Sequence, residues 1–226
     1  MVSGRLILRR GETQGEADIS RYWHYESWIR QNLSRLDSTF GATGPFYGVR
    51  RHLFSPIPED ILLDDVYLPM TVFFQGYRLI VEPKALAYDY PMTPQREYTR
   101  KVRTLAGNYQ LLLRMPQVLT FQNRMLGHFL SYKVGRLLLP WLFLTAFVAS
   151  FLLPWPWNEV LVFGQLGAYF LALLDRIIPQ RIWLKRISSP VRTFVVLIIA
   201  TVNGLRVLFV PPRTLWKVTD IAPIDT

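Results

Sequence analysis

The decapeptide "DILLDDVYLP", residues 60–69, gathers Asp60, Asp64 and Asp65 in a chain that has 16 acids against 26 Lys and Arg. Two chemistries suit such a cluster. Asp64 and Asp65 precede the apolar run "VYLPMTVFFQG", where carboxylates accept free amide protons and complement the dipole of a helix start. Alternatively, one of them takes a proton from a substrate hydroxyl as a general base. Cations that would complete such a site recur at helical spacing further on, as Arg96, Arg100 and Arg103, with Gly107 continuing the row. Guanidinium forks match phosphate oxygens and keep their charge when desolvated. A solvated helix face would carry the same row of arginines.

The elements that must hold these groups are readable around them. Pro94 suits a first helical turn, and Tyr98, Val102, Leu105, Tyr109 and Leu112 then form an apolar stripe on the face opposite the arginines. The acidic pair opens an expected helix that Gly76 stops, and "YRLIVEP" (77–83) reads as a strand. Before the acids, the Gly-rich passage "STFGATGPFYGVRR" (38–51) reads as a loop, either a plain turn or a close backbone approach to a ligand. "GRLILRR" (4–10) alternates like a strand, and Ile19, Tyr22, Ile29, Leu33 and Leu36 recur at helical spacing. Residues 1–115 therefore read as a soluble mixed α/β domain.

Half of the chain, 50%, is hydrophobic and 14% aromatic, more than a soluble domain of 226 residues usually carries. Cysteine is absent, which excludes disulfides and thiolate metal sites, and His24, His52 and His128 make no ligand spacing. The net charge of +10 sits beside long apolar runs rather than on a polar face, which favours an anionic membrane surface over nucleic acid. Residues 137–155 hold no charge over 19 positions, and 160–178 is interrupted only by Asp175 and Arg176. Each approaches the roughly 20 residues that span a bilayer. Residues 193–210 form a third span in which Arg206 snorkels from near the end. Residues 116–136 are expected to be an interfacial amphipathic segment, and 137–226 the membrane region.

Arg124, Lys133 and Arg136 precede the first span, the turn at 156–159 has no Lys or Arg, and 176–192 holds five. By the positive-inside rule the soluble domain of this multi-pass cell-membrane protein is cytoplasmic. Three spans place Thr226 outside, whereas Arg213 and Lys217 favour the inside.

In order, "GATGPFYGVRR", "LLDDVYLPMTVFFQGYRLIVEP", "REYTRKVRTLAGNYQLL" and the spans resemble the C-terminal half of the membrane-bound family 2 glycosyltransferases, the group of cellulose, chitin and hyaluronan synthases. The resemblance implies a partial GT-A-like domain followed by transmembrane helices, and inverting transfer of a sugar from a nucleotide-sugar donor to a carbohydrate or lipid-linked acceptor. It maps the family's catalytic base onto Asp65, with Asp64 in the place usually held by Glu. The Gly-rich loop, with Gly44 and Gly48, would shape the acceptor site. The family's Gln-x-x-Arg-Trp motif maps onto Arg100, Arg103 and Thr104. Threonine at 104 removes the stacking surface of the family's tryptophan, which weakens the case for processive polymer synthesis. The nucleotide-binding half and its Asp-x-Asp motif, which would bind Mg or Mn, find no counterpart in the sequence, where the only other acid-rich stretch is "GETQGEAD" (11–18). The chain is therefore expected to be the later part of such an enzyme, inactive and metal-free by itself. The alternatives are a non-catalytic membrane module derived from one and, less favoured, a transporter.

Overall fold

A computed structural model describes residues 1–8, 14–90, 93–179 and 182–215. Arg9 and Arg10, the start of the 11–18 acidic stretch, Arg181 and the tail with Lys217 and Thr226 lie outside the described residues.

Strand β1 (Val2–Leu8) is central in a three-stranded sheet of order β2-β1-β3. The two-residue β2 (Tyr47–Gly48), inside the Gly-rich loop, pairs with it antiparallel, and β3 (Ile80–Asp89) pairs with it parallel. The strand expected over 77–83 thus starts three residues later and runs to Asp89. Its pairing shifts register between Ser3↔Val81 and Arg5↔Leu86. Pro83 lies in that irregular stretch, as a residue without an N–H to donate should.

Helix α1 (Gln14–Leu36) covers the expected amphipathic segment. Helix α2 (Asp64–Phe74) carries both aspartates in its first turn, and Gly76 beyond its end has φ 87°, the left-handed conformation that stops a helix. Val66, Met70 and Phe73 step along one face of α2 into a core shared with Leu33 of α1, Phe40 of the loop and Leu111. Fully burying each large apolar side chain contributes about 1.5–3 kcal/mol. Arg124 clasps the rim: it pairs with Asp37 at 2.7 Å, donates to the carbonyls of Phe73 and Tyr77, and lies over the Phe73 ring.

Helix α3 (Pro94–Arg114) has the two faces expected of it. Its apolar stripe packs on membrane-side residues, with Leu105, Leu137 and Ala200 at the centre and Tyr98, Val102 and Tyr109 around them. Among the described residues three helices are long and apolar enough to cross a membrane: α4 (Leu126–Ser150), α5 (Trp157–Leu174) and α6 (Lys185–Gly204, continuing as a 3₁₀ turn to Leu208). Exposed side chains such as Phe163, Phe170 and Leu173 suit lipid contact. The first of them begins at Leu126, eleven residues before the charge-free run, because Lys133 and Arg136 lie in a polar network rather than in water. It passes through a π-helical turn at Leu130–Val134. Within 116–136, Val118, Met125 and Phe129 belong to the core around α2.

Candidate functional site

The acidic decapeptide divides into three roles. Asp60 pairs with Arg114 at the end of α3, and its carbonyl accepts from Gln110 Nε2 at 2.7 Å. Gln110 Oε1 in turn accepts the Leu62 amide at 2.9 Å, so one buried side chain pins the approach to α2. Asp64 is exposed, and Asp65 is half-buried. Neither serves as the side-chain cap, since the N-cap is Leu63 and makes no capping bond.

A proline sets the backbone at Asp65. Pro69 lies inside α2 and has no N–H, so the Asp65 carbonyl four residues back loses its helical partner. It accepts instead from the Ala42 amide at 2.6 Å, which ties the Gly-rich loop to the start of α2. Arg30 of α1 secures the same loop by donating to the Gly41 carbonyl at 2.6 Å. A Cβ on Gly44 would lie 3.6 Å from Asp65 Oδ2, so the loop passes directly over the carboxylate. Gly107 serves packing: a Cβ there would meet the Leu63 side chain at 2.4 Å, and its absence lets α3 lie close beside the aspartates.

Between this assembly and the membrane helices is a cavity of about 910 Å³. Gly44, Asp64, Asp65, Arg100, Arg103 and Thr104 all line it, whereas Gly48 lies outside it in β2. Its neighbour Tyr47 is close enough to feel the charge of both aspartates, which together with burial raises its phenol. The Thr104 hydroxyl is engaged with the Arg100 carbonyl at 2.9 Å. Arg100 makes a two-pronged contact with Glu97 at 2.8 and 2.9 Å, and its guanidinium lies 5.0 Å from the centroid of the Trp23 ring.

Several groups that the sequence reading did not select complete the wall. Trp23 and Glu26 come from α1, Lys101 from α3, and Lys133 and Arg136 from α4. Glu26 pairs with Arg136 at 2.7 Å and accepts from the Tyr132 hydroxyl. Burial works to raise that carboxyl, but the Arg136 charge and the hydrogen bonds hold it at about 2. Burial lowers the Lys101 ammonium to about 8, against the opposing pull of Glu97. Asp65 moves the other way. Burial pushes its carboxyl up from the ordinary range, Lys133 pulls it down, Asp64 pushes it up again, Arg30 and Arg103 pull it down, and a net rise remains. Two buried-side acids are thus separated, one locked as an anion and one with increased proton affinity.

Among the described residues no three His, Cys, Asp or Glu side chains gather to hold a metal ion. They do not fit the divalent ion expected beside a donor diphosphate, and the chemistry available to the cavity is that of its carboxylates and cations. Comparison with family models, with characterised proteins and with solved structures finds no match to this chain.

Proposed function

We propose that the chain is the acceptor-side, membrane-embedded part of an inverting glycosyltransferase. The observation that carries this reading is Asp65. It is a carboxylate of raised proton affinity, held by a proline-freed carbonyl beneath a glycine loop, in a cavity that also presents Arg100 and Arg103. The small mixed sheet packed under helices is compatible with the later part of a GT-A-like domain.

In the proposed reaction the acceptor hydroxyl attacks the anomeric carbon of a nucleotide-activated sugar and gives its proton to Asp65. The bond from that carbon to the diphosphate oxygen breaks, and the electron pair leaves with the diphosphate. Cations facing the developing charge stabilise it without reorganising at the moment of reaction. A single displacement needs one base and no enzyme nucleophile. Arg100, already aligned by Glu97 and Trp23, would act as a positioned charge, and Arg103 as the second.

The test uses membranes from cells carrying the native gene, incubated with radiolabelled nucleotide sugars. Label should pass to a lipid or carbohydrate acceptor, and a chromosomal Asp65→Asn change should reduce transfer by about 10²-fold or more. Transfer that persists at the native rate in Asp65→Asn would overturn the assignment.

A further inference from the structure

The cavity is lined by two unlike sets of residues. Among the described residues that line it, Arg30, Arg100, Lys101, Arg103, Lys133 and Arg136 are cationic, whereas the acids are Glu26, Asp64 and Asp65. Glu97, buried behind the wall, pairs with Arg100 at 2.8 Å and Lys101 at 3.6 Å, and six positive groups against these four acids still leave an excess of positive charge, which a bound anion would offset. The other part of the lining is apolar and comes from α6 and α4. Phe194, Leu197, Ile198 and Thr201 recur on α6 at spacings of three and four, a single stripe, and Leu139 of α4 joins them.

The geometry keeps these two sets in one space. Helix α6 crosses α3 so closely that a Cβ on Gly204 would lie 3.0 Å from the Ala106 nitrogen, and Asn203 donates to the Tyr98 hydroxyl at 2.6 Å. Tyr109 donates to the Leu137 carbonyl at 3.3 Å, joining α3 to α4. Arg100, Lys101, Arg103 and Thr104 of α3 and the apolar stripe of α6 line the same cavity. A ligand that fills it must pair an anionic group with an apolar one. A free sugar offers no apolar surface of that length, and a neutral lipid leaves the cations uncompensated.

We propose, resting on the transferase reading above, that the acceptor is a lipid-linked sugar whose chain lies along Leu139, Phe194, Leu197 and Ile198, whose phosphate meets the cations around Lys101 and Arg136, and whose sugar hydroxyl reaches Asp65. The hydroxyl proton goes to Asp65, the new glycosidic C–O bond forms, and the donor's diphosphate leaves with its electron pair. The lipid's own phosphate takes no part in bond making and serves as the handle.

The experiment uses the full chain in phosphatidylcholine nanodiscs and a photoreactive probe, a prenyl phosphate ester of glucose with a diazirine in its chain. After irradiation, mass spectrometry should place the label on Phe194, Leu197 or Ile198. Unlabelled probe should suppress it, whereas the matching neutral prenyl glucoside and glucose 1-phosphate should each compete about tenfold less well, the margin of one charge-assisted hydrogen bond. Lys101→Gln should weaken labelling by a similar factor, and Glu97 keeps Arg100 in that variant. Ile198→Trp, which fills the apolar part and leaves every cation in place, should abolish the label on α6. Equal competition by the neutral glucoside would show an apolar cavity only, equal competition by glucose 1-phosphate would show a free phosphate site, and label confined to outward faces of α5 would show bulk lipid. Each of these overturns the proposal. Correct labelling together with no Asp65-dependent transfer in membranes from cells carrying the native gene would remove the transferase reading and leave the lipid site standing. Transfer to a soluble sugar without labelling would do the reverse.

Discussion

The corner between α5 and α6 and the start of α2 each take an aspartate out of water, and they treat it in opposite ways. Asp175 at the corner is fully buried and saturated: Ser188 donates to it at 2.6 Å, Lys185 at 3.0 Å and Arg192 at 3.2 Å. Asp65 has cations nearby, yet among the described residues none hydrogen-bonds its carboxylate. A carboxylate with three donors is a structural joint, because every lone pair that matters is spoken for. One that feels positive charge without receiving protons keeps its lone pairs open, as the proposed base requires. Glu26 belongs with Asp175, although it shares the cavity with Asp65.

Removing the saturated acid should have the largest effect on stability. Asp175→Ala leaves Lys185 and Arg192 facing an empty joint and should cost about 3 kcal/mol, read as a lower melting temperature in detergent. Asp65→Asn removes a desolvated charge and, among the described residues, no hydrogen bond, so melting should stay level or rise while transfer collapses. A fall in stability comparable to that of Asp175→Ala would erase the contrast.

Acid pH offers a second way to separate the two kinds of site. Glu26 is held at about 2, against an ordinary 4.5. Its pairing with Arg136 therefore contributes stability that is full above 4.5 and is lost as pH falls toward 2. Asp65, raised in the folded state, has the opposite sign: its contribution declines as pH rises through the shifted value. In Glu26→Gln the loss of stability over the acid window should largely disappear in pH-resolved melting. An unchanged acid profile would mean that the Glu26 pair is not the source.

A smaller effect is expected from Pro69→Ala. Alanine restores an amide that competes with Ala42 for the Asp65 carbonyl, and it is a better helix former than proline. Stability should hold or increase, while transfer should fall by about fivefold, the scale of one net hydrogen bond. Increased activity would show that the loop contact restrains the site instead of building it.

Where the sequence was informative, one physical signal dominated. Charge-free runs announced the spans, and the opposed stripes of α3 announced a helix with one core face and one face of arginines; that the core face packs on Leu137 and Ala200 of the membrane helices came only with the fold. The early start of α4 was hidden because Lys133 and Arg136 look like a solvated flank when their partners, Asn108 and Glu26, lie far away in sequence. Trp23 and Glu26 were unremarkable members of an amphipathic helix until Arg100 lay over the Trp23 ring and Arg136 paired with Glu26. The Asp65 carbonyl is the instructive case, since Pro69 four residues on was a readable sign that this carbonyl must look elsewhere. Its partner, Ala42, could not be known before the loop was folded over α2. Gly48 was grouped with Gly44 by motif, and the loop's entry into β2 carries the two to different places.

The most direct measurement is the ionisation of Asp65 itself, by infrared difference spectroscopy of the carboxyl stretch in the full chain, with Asp65→Asn subtracted to isolate the band. The Asp65 band should titrate above the ordinary aspartate value of 3.8, because burial outweighs the surrounding cations. A band that titrates at or below 3.8 would place Asp65 with the saturated joints and contradict its assignment as the base.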